Sequence, residues 1–143
     1  MMRASLVKDA IDISSLASAV AKDVNGATAI FLGTVRSSNE GRAVTGIEYS
    51  AYEEMAEREM VSILDEACER FGIAEARMEH RLGTLRIGEA SIGVAVAHPH
   101  RGPAMEALRY IVDETKRRAP IWKLEHYADG TRDWVNAGSA RTA

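Results

Sequence analysis

The segment Ser91-Ile92-Gly93-Val94-Ala95-Val96-Ala97 has no charged residue and only one hydroxyl. A strand with one wet face alternates apolar and polar residues, and this run does not, so it is expected at the centre of a sheet. A 143-residue chain built around such a strand fits one domain, residues 1–143, with 136–143 as a loose tail. A chain of this length buries roughly 68–70% of its unfolded surface, enough for a core without metal or disulfide staples.

The flanking patterns fill in the class. Residues 52–70 carry Tyr52, Met55, Ala56, Ile63, Leu64 and Ala67 at helical spacing, continued by Phe71 just beyond. Residues 102–118 repeat the pattern with Ala104, Ala107, Leu108, Ile111, Val112 and Thr115. A shorter helix is predicted over 14–21, capped by Ser14 and broken by Asn25-Gly26. Strands are expected at 5–11 (an edge), 27–35 (buried), 44–49, 74–81 and 121–127. The polar run 37–42 reads as a loop, Gly83 and Gly88 bracket an irregular connection, and Asp129-Gly130 turns the chain before Trp134-Val135. This order of strands and helices predicts an α+β domain with a mostly antiparallel sheet and two long helices.

Composition excludes some functions. A net charge of −3 argues against general nucleic-acid binding, which needs a basic surface. The first residues lack a secretory apolar run, and no stretch approaches the roughly 20 apolar residues of a membrane span, so a cytoplasmic protein is expected. Cys68 is the only cysteine. Its neighbours Ile63, Leu64, Ala67 and Phe71 predict a small buried hydrophobe, and one thiol allows no internal disulfide or Cys-x-x-Cys motif.

Basic residues stand at the ends of apolar elements: Arg36 after 27–35, His100-Arg101 after 91–97, and Lys116 near the end of the second long helix. Lys123 lies inside the strand 121–127, sharing a face with Ile121 and Glu125, opposite Trp122 and Leu124, which are expected to pack in the core. A lysine inside an apolar strand is costly unless it meets an anion or takes part in chemistry. Arginine forks and a helix N-terminus beside His100-Arg101 suit a phosphorylated ligand. The plain alternatives are a solvated Arg36, a Lys116 that caps the helix dipole, and a Lys123 on a surface strand face. His98-Pro99-His100 has no nearby carboxylate or cysteine to complete a metal site, so no metal is expected. Composition and spacing stop at an anion-binding α+β domain.

Longer motifs go further. Phe31-Leu32-Gly33-Thr34-Val35-Arg36, then Glu79-His80-Arg81-Leu82-Gly83-Thr84-Leu85 with Gly88-Glu89, then His100-Arg101, then Lys116 with Ala119-Pro120-Ile121-Trp122-Lys123-Leu124-Glu125 occur in one order. This set resembles the molybdopterin synthase large-subunit family from about residue 27 to 135. The departures are Tyr49-Ser50-Ala51-Tyr52 at a helix start and a longer interval between Gly130 and Trp134.

The resemblance implies an α/β-hammerhead fold, a homodimer, and one small ubiquitin-like sulfur-carrier subunit at each end, forming a heterotetramer. That partner ends in a Gly-Gly thiocarboxylate and gives its sulfur to cyclic pyranopterin monophosphate, yielding the molybdopterin dithiolene. The family pattern assigns substrate contacts to Thr34, Val35, Arg36, His100, Arg101, Lys116, Lys123, Leu124 and Glu125, with Lys116 and Lys123 catalytic. His100 and Arg101 come from the same copy or from across the dimer. No cofactor is implied. The rival expectation is a non-catalytic module that binds a phosphorylated metabolite and regulates a partner.

Overall fold

The computed structural model describes residues 2–135; the expected loose tail at 136–143 lies outside them. In chain order the elements are β1 (Met2–Val7), α1 (Ile13–Val20), β2 (Ala27–Thr34), β3 (Ser38–Asn39), β4 (Arg42–Ala51) and α2 (Glu53–Phe71). They continue as β5 (Glu75–Arg81), β6 (Gly83–Arg86), β7 (Ala90–His98), α3 (Arg101–Arg118), β8 (Ile121–Tyr127) and β9 (Arg132–Val135). A four-stranded sheet runs β1-β5-β7-β2, and a second sheet runs β3-β4-β8-β9 with β6 also on β4. Among the described residues only β1 and β5 pair in parallel, so the expected α+β, mostly antiparallel class holds.

The central strand explains the architecture. Residues 91–97 are all buried because both faces of β7 are covered. Ile92, Val94 and Val96 face a cluster with Ile63, Leu64 and Ala67 of α2 and Ala107 and Ile111 of α3. Ala95 and Ala97 meet Leu16 and Val20 of α1 on the other side. Gly93 belongs to this second face, where a Cβ would come within 2.9 Å of both Ile11 and Leu16. The small residues of β7 are thus what lets α1 lie close to the sheet.

Several expectations change. The strand at 5–11 starts and ends earlier, at Met2–Val7, and pairs with β5. The first helix is capped by Asp12, whose carboxylate accepts from the Ser14 and Ser15 amides, so Ser14 is a first-turn residue. β2 is an edge strand, and its outer apolar residues Ile30 and Leu32 are 45% and 41% exposed, so it is not buried as expected. The 83–88 connection contains β6, and the loop 37–42 contains β3; pairing with β4 creates both. Tyr52 and Met55 sit outside the buried face of α2, which is instead Ala56, Met60, Ile63, Leu64 and Ala67.

Cys68 is exposed, one residue past that stripe and about 100° around the helix from Ala67. The buried-hydrophobe expectation fails for that reason. Cys68→Ser is therefore expected to change unfolding free energy by no more than about 0.5 kcal/mol, measured by denaturant titration.

The two long helices are tied by charge as well as packing. Arg118, at the end of α3, bonds Glu59 at 2.8 Å and Glu66 at 2.7 and 2.9 Å on α2. Tyr110 also donates to Glu66. The Arg118 bond, then the Tyr110 bond, hold the Glu66 carboxyl down at about 2, against 4.5 ordinarily. A lowered folded pKa contributes stability that is present above pH 4.5 and lost as pH falls towards 2. Arg118→Met should lower Tm at pH 7 by about 2–6 °C and flatten the loss of Tm between pH 4.5 and 2. Thermal unfolding followed across that range checks both effects.

Candidate active site

Gly83, with φ of 103°, turns the chain from the end of β5 in the first sheet into β6 of the second. Where the two sheets meet, the end of β2, the start of β7, the end of α3 and the middle of β8 surround a cavity of about 400 Å³. Its charged lining is Arg36, Lys116, Lys123 and Glu125, with Thr34 and Asn39 beside them. A smaller chamber of about 60 Å³ lies behind, reached past Tyr49, Ser91, Lys116 and Lys123, which line both spaces.

Local structure aims these groups inward. Pairing between β2 and β7 shifts register between Gly33 and Thr34. The backbone then leaves the sheet, pinned by Val35 N–H to Glu89 O at 3.0 Å and Gly88 N–H to Val35 O at 2.9 Å. This releases Arg36 to the cavity while Val35, 3% exposed, packs in the core of the second sheet. On β8 the two-residue period puts Ile121, Lys123, Glu125 and Tyr127 on one face. That face is the buried one. Trp122 and Leu124 are only partly buried, which reverses the expected core side, and Leu124 pairs with Trp134 of β9. Lys123 stands opposite Tyr49, and Glu125 opposite Ile47.

The electrostatics follow from burial. Glu125 is 3% exposed and accepts from Asn39 Nδ2 at 2.9 Å and from Tyr127 Oη at 2.7 Å. Its other oxygen lies 3.9 Å from Lys123 Nζ. Burial lowers the Lys116 pKa, and the like charges of Lys123 and Arg36 push it further down, so it holds its proton less tightly than an ordinary lysine. Burial is also the main reason that His80 titrates at about 4, with Lys116 and Lys123 adding to the effect. His80 is therefore neutral at pH 7. Its Nδ1 lies 3.1 Å from the Arg81 carbonyl oxygen, which can only accept, so Nδ1 carries the proton and Nε2 is the ring's acceptor. Tyr49 packs edge-on against this ring at 5.1 Å, and burial raises its phenol above the ordinary range.

The structure thus brings together Thr34, Arg36, Lys116, Lys123 and Glu125. It sets apart Val35 and Leu124, which face other surroundings, and also His100 and Arg101. Those two line a separate pocket with Gly26, Ala27, Pro99 and Gly102, at the N-terminus of α3. From Ser91 to His98 along β7 is about 23 Å, and from Arg101 to Lys116 along α3 about 22 Å. One chain cannot close both groups around one small ligand. Among the described residues no cluster of histidine, cysteine or carboxylate side chains could hold a metal ion, and no helix is long and apolar enough to cross a membrane.

Sequence reasoning missed Asn39, Tyr49, His80, Ser91 and Tyr127. Tyr127 was within reach of the β8 alternation that placed Lys123 and Glu125. The others depend on pairing between distant segments, which no local pattern shows.

A site with three cations around one buried carboxylate suits an anionic substrate. The family model described as "MoaE protein" matches residues 6–118. The molybdopterin synthase catalytic subunit of Pyrococcus abyssi is 45% identical over 130 residues, covering 90% of this chain and 88% of that one. The crystal structure of molybdopterin synthase from Staphylococcus aureus superposes with a TM-score of 0.87 at 32% identity, over 92% of this chain and 95% of that one. A chain in the complex of subunits 1 and 2 of molybdopterin-converting factor from Helicobacter pylori shares the fold, with a TM-score of 0.76 at 24% identity over 95% and 92% of the two chains. With the family model and the Pyrococcus relative both spanning most of its length, the chain belongs to the MoaE family, that of the molybdopterin synthase catalytic subunits.

Proposed function

We propose that this chain accepts sulfur from the thiocarboxylated C-terminus of a small ubiquitin-like subunit and delivers it to cyclic pyranopterin monophosphate. The observation that carries the reading is Lys123, a strand-borne lysine on a buried face, placed with Lys116 and Arg36 around one cavity. The cavity suits an extended carboxyl terminus meeting a phosphorylated ring. Arg36 offers a fork for phosphate oxygens. Lys116, with its lowered pKa, gives up a proton more readily than an ordinary lysine, and Lys123 can meet the incoming thiocarboxylate. A regulatory module would need the cations but not a desolvated lysine behind them.

The second basic group enters through a second copy. β2 is a sheet edge whose outer face shows Ile30 and Leu32. Its first residue, Ala27, lies in the His100–Arg101 pocket, and Thr34 at its end lies in the lysine cavity. Two copies of this edge related by a two-fold axis would run antiparallel and set the first pocket of one against the cavity of the other. That arrangement supports a homodimer whose sites each draw His100 and Arg101 from the neighbouring copy, within a heterotetramer.

Two measurements test this. Purified chain with cyclic pyranopterin monophosphate should form dithiolene only when the thiocarboxylated small subunit is added, and Lys123→Ala should cut kcat by roughly 10²–10⁴-fold. Lys123→Arg keeps the positive charge that meets the thiocarboxylate and should recover much of the rate, whereas Lys116→Arg should not, because arginine does not release a proton near neutrality. Turnover without the partner, or full activity in Lys123→Ala, refutes the reading. The second measurement mixes Lys123→Ala chains with Arg101→Ala chains, each inactive alone. Half the random dimers then carry one intact site of two, so about a quarter of unmodified activity should return. No recovery despite subunit exchange would overturn the assignment of Arg101 to the neighbouring copy's site.

A further inference from the structure

Glu125 is held more elaborately than its charge requires. An ionised carboxylate that is 3% exposed needs partners, and Lys123 supplies the opposite charge at 3.9 Å. At that separation an ammonium on a four-carbon stem leaves the carboxylate free to rotate. Two neutral donors remove the freedom. Asn39 Nδ2 and Tyr127 Oη both reach Oε1, at 2.9 and 2.7 Å, and Oε2 is left towards Lys123.

Both donors are themselves fixed by one hairpin. Asn39 belongs to the two-residue strand β3, which pairs with Arg42 and Ala43 of β4. The link between them is Glu40-Gly41, with φ of 51° and 83°, the positive pair that a two-residue hairpin turn requires. Arg42, just past the turn, stacks over the Tyr127 ring at 3.5 Å and pairs with Asp133 at 2.7 Å. Burial, and then the bond to Glu125, raise the Tyr127 pKa to about 12, so the phenol remains a donor at any working pH. The segment that read as a polar loop is thus a device aimed at one carboxylate oxygen.

We propose that Asn39 and Tyr127 are positioning residues of the sulfur-transfer site, which together lock the Glu125 carboxylate so that Oε2 holds the Lys123 ammonium at the cavity wall. The proposal rests on the role given to Lys123 above. It assigns the β3–β4 hairpin to catalysis through Glu125.

Asn39→Asp is nearly isosteric but has no N–H to donate, and Tyr127→Phe removes only the hydroxyl. Turnover is measured with the thiocarboxylated small subunit and cyclic pyranopterin monophosphate, alongside thermal unfolding of each variant. Each substitution should lower kcat about 10- to 100-fold, the scale of one charge-assisted hydrogen bond, and change the KM for the pterin less than about 3-fold. In a Glu125→Gln background the same substitutions should each cost less than about 3-fold more, because their effect runs through a carboxylate already removed. A residue that only stabilises the fold would show its full loss in both backgrounds, and that result overturns the proposal. So does wild-type kcat in folded Asn39→Asp and Tyr127→Phe. If Asn39→Asp does not fold, Tyr127→Phe carries the cycle alone. Absence of turnover by the unmodified chain would instead overturn the sulfur-transfer reading itself, and this proposal with it.

Discussion

Two-sided burial of β7 is the constraint from which the rest of the molecule follows. A strand with no wet face needs cover above and below, and α1 on one side and the α2–α3 pair on the other provide it. Small residues at 93, 95 and 97 let α1 approach closely, while Ile92, Val94 and Val96 fill the thicker layer under the long helices. The strand's length also sets the distance between its ends. Ser91 opens onto the lysine cavity, and the chain beyond His98 enters α3, which runs back across the sheet to deliver Lys116 to the same cavity. Position of the site is therefore a consequence of core packing, with the lysine carried by the last turn of a helix that the core already requires.

Within the cavity, charge is controlled by what the walls exclude. Three cations face a space backed by apolar residues and a neutral imidazole, and a net negative chain thus presents a local positive site. His80 shows how strong the effect is. Buried against Tyr49 and near two lysines, it gives up its proton well below neutrality. A protonated His80 would add a fourth cation; the neutral ring is instead an acceptor held in one tautomer by the Arg81 carbonyl. The same desolvation lowers Lys116, so the site separates a lysine inclined to give up its proton from a Lys123 that faces a carboxylate.

Much of this was legible in the sequence wherever a pattern is local. The small apolar run predicted the central strand, and helical spacing placed both long helices within a residue at each end. Lys123 and Glu125 stood out because charge inside an apolar strand conflicts with its surroundings. The errors came where a rule about apolar residues met a functional face. Trp122 and Leu124 were expected inside because they are apolar, yet the buried side of β8 is the one bearing Lys123 and Glu125. Cys68 failed by one step around a helix. Strands β3 and β6 are too short to carry a period and exist through pairing with β4. Motif order, finally, says nothing of distance. His100-Arg101 and Lys116 are close in sequence but sit at opposite ends of α3.

That separation bears on how such a site can be assembled at all. Under the proposed function a phosphorylated ring and the end of a partner's chain meet in one place, while the cations suited to them lie in two places about 22 Å apart. Bending α3 to close the gap would expose the core under β7, so the distance is as rigid as the packing. β2 offers the alternative, since it touches one pocket with its first residue and the other with its last, and no strand among the described residues pairs with its outer edge. Under the proposed function, a two-fold contact along that edge would turn a fixed separation into a fixed proximity. The exposed Ile30 and Leu32, which make little sense on the surface of a lone subunit, would then be the apolar seam that joins two incomplete sites into two complete ones.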